Sequence, residues 1–148
     1  MKIMLSSLFF ITLCSLFFIS STQTFAQAQP SEAEMSTYLL KEINAYRSQY
    51  GLSPVRTSTQ TCAFAKIRAR EIVSDFEHTG FRGRINNKTL PYTSWTAVTE
   101  NIATTYDYKR VVSLWIKSPS HAENMHKNTP FVCVQRQGNY YAYEGMKP

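Results

Sequence analysis

What the chain lacks narrows its reading first. It has no run of basic residues and no interleaving of aromatic with basic ones; Arg68, Arg70, Arg82, Arg84, Lys109 and Arg110 are scattered. That pattern does not describe a nucleic-acid groove. There is no His-Glu-x-x-His, which removes the usual helical zinc-protease arrangement. No nucleophile elbow surrounds Ser118 or Ser120, although both lie close to His121 in sequence. Internal repeats are absent, and beyond the first residues there is no low-complexity tract. Only Cys14, Cys62 and Cys133 carry sulfhydryls. The one long apolar run, residues 5–19, is too short and too interrupted by Ser and Thr for a membrane span.

That run belongs instead to an expected secretory signal peptide over residues 1–28. Met1-Lys2 gives the positive start, and Ala26-Gln27-Ala28 the small-x-small cleavage site. Cleavage there leaves 148 − 28 = 120 residues, a single domain over 29–148 with enough chain for a core. The formal net charge falls from +6 to +5 with Lys2 gone. Scattered charge of this size fits ordinary solubility, or attraction to a polyanionic surface such as acidic glycan or lipid head groups. The address is secreted or periplasmic, without a transmembrane anchor and without nucleic acid as partner. Cys62 and Cys133 remain, and an even count in an exported protein suggests a disulfide; two buried free thiols are the alternative. Closing a loop of 133 − 62 = 71 residues would stabilise by about 4 kcal/mol on the chain-entropy model.

Along the chain, Ser31-x-x-Glu34 fits a capping box, so a helix is expected from there to about Tyr50, with Leu39, Leu40, Ile43, Tyr46 and Tyr50 inward and Gly51 as its stop. A second helix is expected from Ser58 or Thr59 to about Phe76. Cys62, Ala65, Ala69, Ile72 and Val73 would face inward, and Lys66, Arg68 and Arg70 water. Residues 81–99 read as a long loop with at most a short helical turn. Asp107 caps a third helix from Tyr108 to about Lys117, where Ser118-Pro119 should end it. Residues 131–136 and 139–144, rich in aromatic and β-branched types around Gly138, read as an antiparallel hairpin.

Three chemistry-bearing side chains, His78, Glu100 and His121, fall at expected boundaries of regular elements, where loops converge on one face. Two imidazoles and a carboxylate suit zinc or another divalent ion with open positions for water. They equally suit general acid–base work, or simple hydrogen bonding at loop junctions. Asn124, three residues past His121, is placed to hydrogen-bond near it, whereas His126 points elsewhere on a helix. Cys62, on an apolar helix face, looks structural.

Taken in order, these pieces resemble the CAP superfamily of cysteine-rich secretory proteins, insect venom antigens and plant pathogenesis-related proteins, and most of all its short bacterial branch. The matching pieces are Leu40 through Arg47 with Gly51-Leu52, Ala65-x-x-Arg68-Ala69, His78-Thr79-Gly80, Glu100-Asn101-Ile102-Ala103, and Trp115-x-x-Ser118-Pro119-Ser120-His121-x-x-Asn124. The resemblance implies an α+β fold, an α-β-α sandwich with a small antiparallel sheet between helical layers (the SCP domain). It also implies a cleft of two histidines and two acidic residues, three of them at His78, Glu100 and His121. Ser118 stands where animal and plant relatives carry the second acid, as short bacterial members similarly do, and Glu123 is the nearest carboxylate to replace it. The function so implied is a secreted, monomeric, non-enzymatic module binding an ion or small ligand through His78, Glu100, His121, Ser118 and Asn124. A metal-dependent hydrolase using the same cleft, and a module recognising envelope glycan or a host protein, are the alternatives.

Overall fold

The computed structural model describes residues 30–148; the signal peptide expected over residues 1–28, with Cys14, lies outside the described residues. Ser31 opens α1 (Glu32–Ser48): its hydroxyl accepts the Glu34 amide at 3.2 Å, and the Glu34 carboxylate accepts the Ser31 amide at 2.8 Å. These reciprocal bonds satisfy two amides that the first helical turn leaves unpaired. Ser58 and Thr61 repeat the device at the start of α2 (Thr59–Glu71). Next come α3 (Thr79–Asn86) and β1 (Ala97–Thr104). A 3-10 turn (Tyr108–Arg110), capped by Asp107, leads into α4 (Val111–Ile116), then α5 (Pro119–His126), β2 (Phe131–Gln137) and β3 (Tyr140–Lys147). Among the described residues, no helix is long and apolar enough to cross a membrane.

The three strands form one antiparallel sheet in the order β1-β3-β2. Side chains alternate across a strand, so Tyr141, Tyr143 and Gly145 share one face with Thr99, Asn101 and Ala103 opposite them. Against that face α1, α4 and α5 bury Met35, Leu39, Ile43, Trp115 and Met125. The other face carries Ala142, Glu144 and Met146 and meets α2 through Phe64, Ala69 and Ile72. This is the α-β-α sandwich. Cys62 on α2 and Cys133 on β2 are joined by a disulfide, with Cα atoms 5.0 Å apart.

Several expectations need correction. The second helix stops at Glu71, five residues before Phe76, because the amides of Ser74 and Asp75 turn back onto the Glu71 carbonyl. Val73 is therefore exposed, and Tyr50 is also exposed, its ring set against His126. Arg68 is not on the water face at all but 1% exposed. The loop expected over residues 81–99 holds most of α3, which starts at Thr79, and β1 begins within it. Pro119 stops α4 but sits in the first turn of α5, where its missing N–H and fixed φ cost nothing. Only His78 lies just outside a regular element; Glu100 sits inside β1 and His121 in the first turn of α5.

Candidate functional site

The β1 edge of the sheet is covered by another part of the chain, and that cover builds the cleft. On the β1 edge, the Trp115 indole N–H donates to the Ile102 carbonyl at 3.0 Å, and the Asn124 amide donates to the Glu100 carbonyl at 2.9 Å. The same Asn124 nitrogen reaches Asn101 Oδ1 at 2.9 Å, while Asn101 Nδ2 donates to the His121 carbonyl at 2.9 Å. These bonds hold the α4–α5 segment along the strand that bears Glu100. Arg47 steadies the far end of α5, donating to the carbonyls of Met125 and Lys127.

His78 enters from the other side, at the start of α3. Its Nδ1 lies 2.7 Å from Glu100 Oε1, so with Glu100 ionised this nitrogen donates and Nε2 is left for the cleft. The ring of His121 stands edge-on to that of His78, with centroids 5.8 Å apart. The cleft, about 280 Å³, is lined by these three side chains with Arg82, Thr99, Ser120 and Asn124 among others. Ser118 is not in the lining: it precedes α5, half-buried, its hydroxyl 3.5 Å from that of Ser120. Glu123 is exposed and pairs with Lys127, so it does not stand in for a second cleft acid.

Beneath the cleft lies a charge network whose centre is Arg68. Its Nε donates to Glu100 Oε2 at 2.5 Å, Nη2 to Glu100 Oε1 at 3.4 Å and to the Glu77 carbonyl at 3.0 Å, and Nη1 to Glu71. Arg84 binds the same Glu71 carboxylate. Gly80 makes this possible, because a Cβ there would lie 2.2 Å from Arg68 Nη1. The glycine of His78-Thr79-Gly80 is thus a space for a guanidinium.

Register then sets Glu144 of β3 directly opposite Glu100. Glu144 is completely buried, and no protein donor reaches either of its oxygens. Burial, then the Glu100 charge, push its acid well above the ordinary range. Burial alone would raise Glu100 too. Hydrogen bonds from His78 and Arg68 outweigh it and keep that carboxyl below its ordinary value. Burial, then His78, lowers His121, against an opposing pull from Glu100. Two adjacent glutamates are therefore pushed in opposite directions, Glu100 down by His78 and Arg68 and Glu144 up by burial.

The donor set bears on metal binding. Both oxygens of Glu100 are already engaged by Arg68 and His78, and a buried guanidinium repels a cation nearby. Among the described residues, no three His, Cys, Asp or Glu side chains are grouped so as to hold a metal ion. Sequence reasoning missed Arg68 and Glu144, yet a signal existed for each. Arg68 shares a helical face with Ala65, Ala69 and Ile72, and Glu144 alternates with Ala142 and Met146.

A helical sandwich around a three-stranded sheet, with two imidazoles converging on a strand carboxylate, defines a recognisable class of domain. The model of the cysteine-rich secretory protein (CAP) family matches residues 40–132, and the chain belongs to that family. Among solved structures it is similar to a cysteine-rich secretory protein of Staphylococcus aureus, at 15% identity and a TM-score of 0.67, covering 82% of this chain and 41% of that one. It is similar to an outer surface protein of Borrelia burgdorferi at 22% identity and a TM-score of 0.67, covering 81% of this chain and 97% of that one. An SCP-domain extracellular protein of Bacillus anthracis matches at 18% identity and a TM-score of 0.66, over 82% of this chain and 45% of its own. These likenesses are of fold, and the chain spans less than half of the first and third relatives. No curated protein matches the chain.

Proposed function

We propose that residues 29–148 are one exported CAP domain that binds a small ligand in the His78–Glu100–His121 cleft without turning it over. The observation that carries this reading is the engagement of Glu100. With its carboxylate bound by Arg68 and His78, the cleft offers imidazole nitrogens, the Ser120 hydroxyl and the Arg82 guanidinium. Arg82 and Ser120 donate, whereas His78 Nε2, left bare once Nδ1 donates to Glu100, accepts; such a lining favours an oxyanion that also carries a hydroxyl, such as monohydrogen phosphate or a protonated carboxyl, over a bare cation. Export is supported by the disulfide and by the family's secretory character. Among the described residues, neither imidazole is hydrogen-bonded to a hydroxyl or thiol, the arrangement that activates a side-chain nucleophile.

The hydrolase reading has one observation in its favour: an imidazole oriented by a carboxylate is also how a general base is held. One experiment separates the readings. Purified protein is titrated in turn with acetate, inorganic phosphate and zinc, following the imidazole proton signals, and is screened against peptide and ester substrates. Saturable shifts with the oxyanions that vanish in His121→Ala are expected. Tight zinc binding lost in the same variant would replace the reading with ion binding. Saturable turnover lost in a His78→Ala/His121→Ala double variant would replace it with hydrolysis.

A further inference from the structure

A second groove of the domain is larger than the histidine cleft. About 470 Å³ in volume, it lies at the other end of β1, lined by Glu32, Tyr106, Arg136, Gly138 and Asn139. Pockets for small molecules run from about 300 to 1,000 Å³, a range this groove enters and the histidine cleft falls just short of. Tyr106 is 92% exposed, which for a lone surface aromatic calls for no explanation. Its setting does. Arg136 Nε donates to Glu32 Oε1 at 2.8 Å and Nη2 donates to the Pro30 carbonyl at 3.1 Å, so the guanidinium is fixed. Asn139 Nδ2 donates to Thr104 Oγ1 at 3.3 Å, which orients the carboxamide and leaves its oxygen as an acceptor. Gly138, at φ +60° in the tight turn between β2 and β3, adds no side chain to the floor.

We infer that this groove is a saccharide subsite, with Tyr106 as the stacking platform and Arg136, Glu32 and Asn139 as its hydrogen-bonding wall. A pyranose ring presents an apolar C–H face and a rim of hydroxyls that both donate and accept. The groove is lined by an exposed tyrosine ring beside a donor, an acceptor and a carboxamide that hydrogen bonds orient. Glu32 and Arg136 neutralise each other, so a strongly charged ligand gains little. The polar wall disfavours an aliphatic one. A neutral oligosaccharide satisfies all three conditions. The site shares no residue with the histidine cleft, so the fate of either assignment leaves the other standing.

The test is titration of 15N-labelled protein with maltotriose, cellotriose and chitotriose, reading backbone amide shifts. At least one sugar is expected to move the amides of Tyr106, Gly138 and Asn139 saturably. Tyr106→Ala should weaken that binding by about tenfold or more. Tyr106→Phe, which keeps the ring, and His121→Ala should leave it within about twofold of wild type. Absence of saturable shifts with all three sugars overturns the inference. So do shifts that survive Tyr106→Ala, or shifts confined to the His78 and His121 region.

Discussion

Replacing Arg68 with methionine tests the charge network most directly. The substitution keeps most of the buried volume and removes every donor. Arg68 and Glu100 have side chains 2% and 1% exposed, so Glu100 would be left charged, dry and supported mainly by His78. Removing one partner of such a buried pair costs about 3–5 kcal/mol, against about 0–1 kcal/mol for an exposed pair. A domain of this size has about 5–15 kcal/mol of stability in total, so the loss is a large fraction of it. The cost should also depend on pH. Glu100 is held below its ordinary value only while its hydrogen-bond partners are present. Without Arg68 the carboxyl escapes by taking a proton, so the penalty shrinks as pH falls toward 4. Urea unfolding of wild type and variant, disulfide intact, at pH 7 and pH 4 measures both effects. Arg70→Met, an exposed change on the same helix, is the control and should stay within about 0.5 kcal/mol. A loss at pH 7 below about 1 kcal/mol, or a loss equal at both pH values, would refute the network.

Gly80→Ala should reproduce much of the Arg68 defect by pushing the guanidinium off Glu100, visible as displaced Glu100 and His78 signals in NMR spectra. Glu144 has a raised folded value, so its contribution is complete below the unfolded carboxyl value and fades as pH rises toward the folded one. Glu144→Gln should therefore be more stable than wild type at pH 7 and no better at pH 3, measured by the same unfolding curves. His121, whose value is lowered chiefly by burial, should titrate by NMR below the ordinary histidine value of about 6.5. Replacing Cys62 and Cys133 together by serine should cost about 4 kcal/mol, the loop-closure estimate, read as a fall in urea midpoint.

Much of this architecture was legible in the sequence where local chemistry decides it. Ser31 with Glu34, Ser58 before α2 and Asp107 before the 3-10 turn mark helix starts by groups a few residues apart. The β2–β3 hairpin needed only alternation and Gly138. Strand β1 was not legible, because it pairs with β3 some forty residues away and carries Glu100 and Asn101 in buried positions. Their polarity is explained only by Arg68, His78, Asn124 and the opposite strand, none of them nearby in sequence. Arg68 was assigned to water by the rule that charge stays outside, and that rule fails where two carboxylates and a glycine make room for it. His78, Glu100 and His121 were legible through the family resemblance and through expected element boundaries, although only His78 lies just outside a regular element.

The caps on the β1 edge have a consequence for assembly. An open strand edge is a template on which a second polypeptide can pair. Here the outward carbonyls of Glu100 and Ile102 are occupied by the side chains of Asn124 and Trp115. The segment that brings His121 to the cleft thus also denies that strand to any intruder. Damage to α4–α5 would open the histidine cleft and the sheet edge together. A molecule that had lost its cleft in this way would become adhesive at the same moment, and would be removed by self-association.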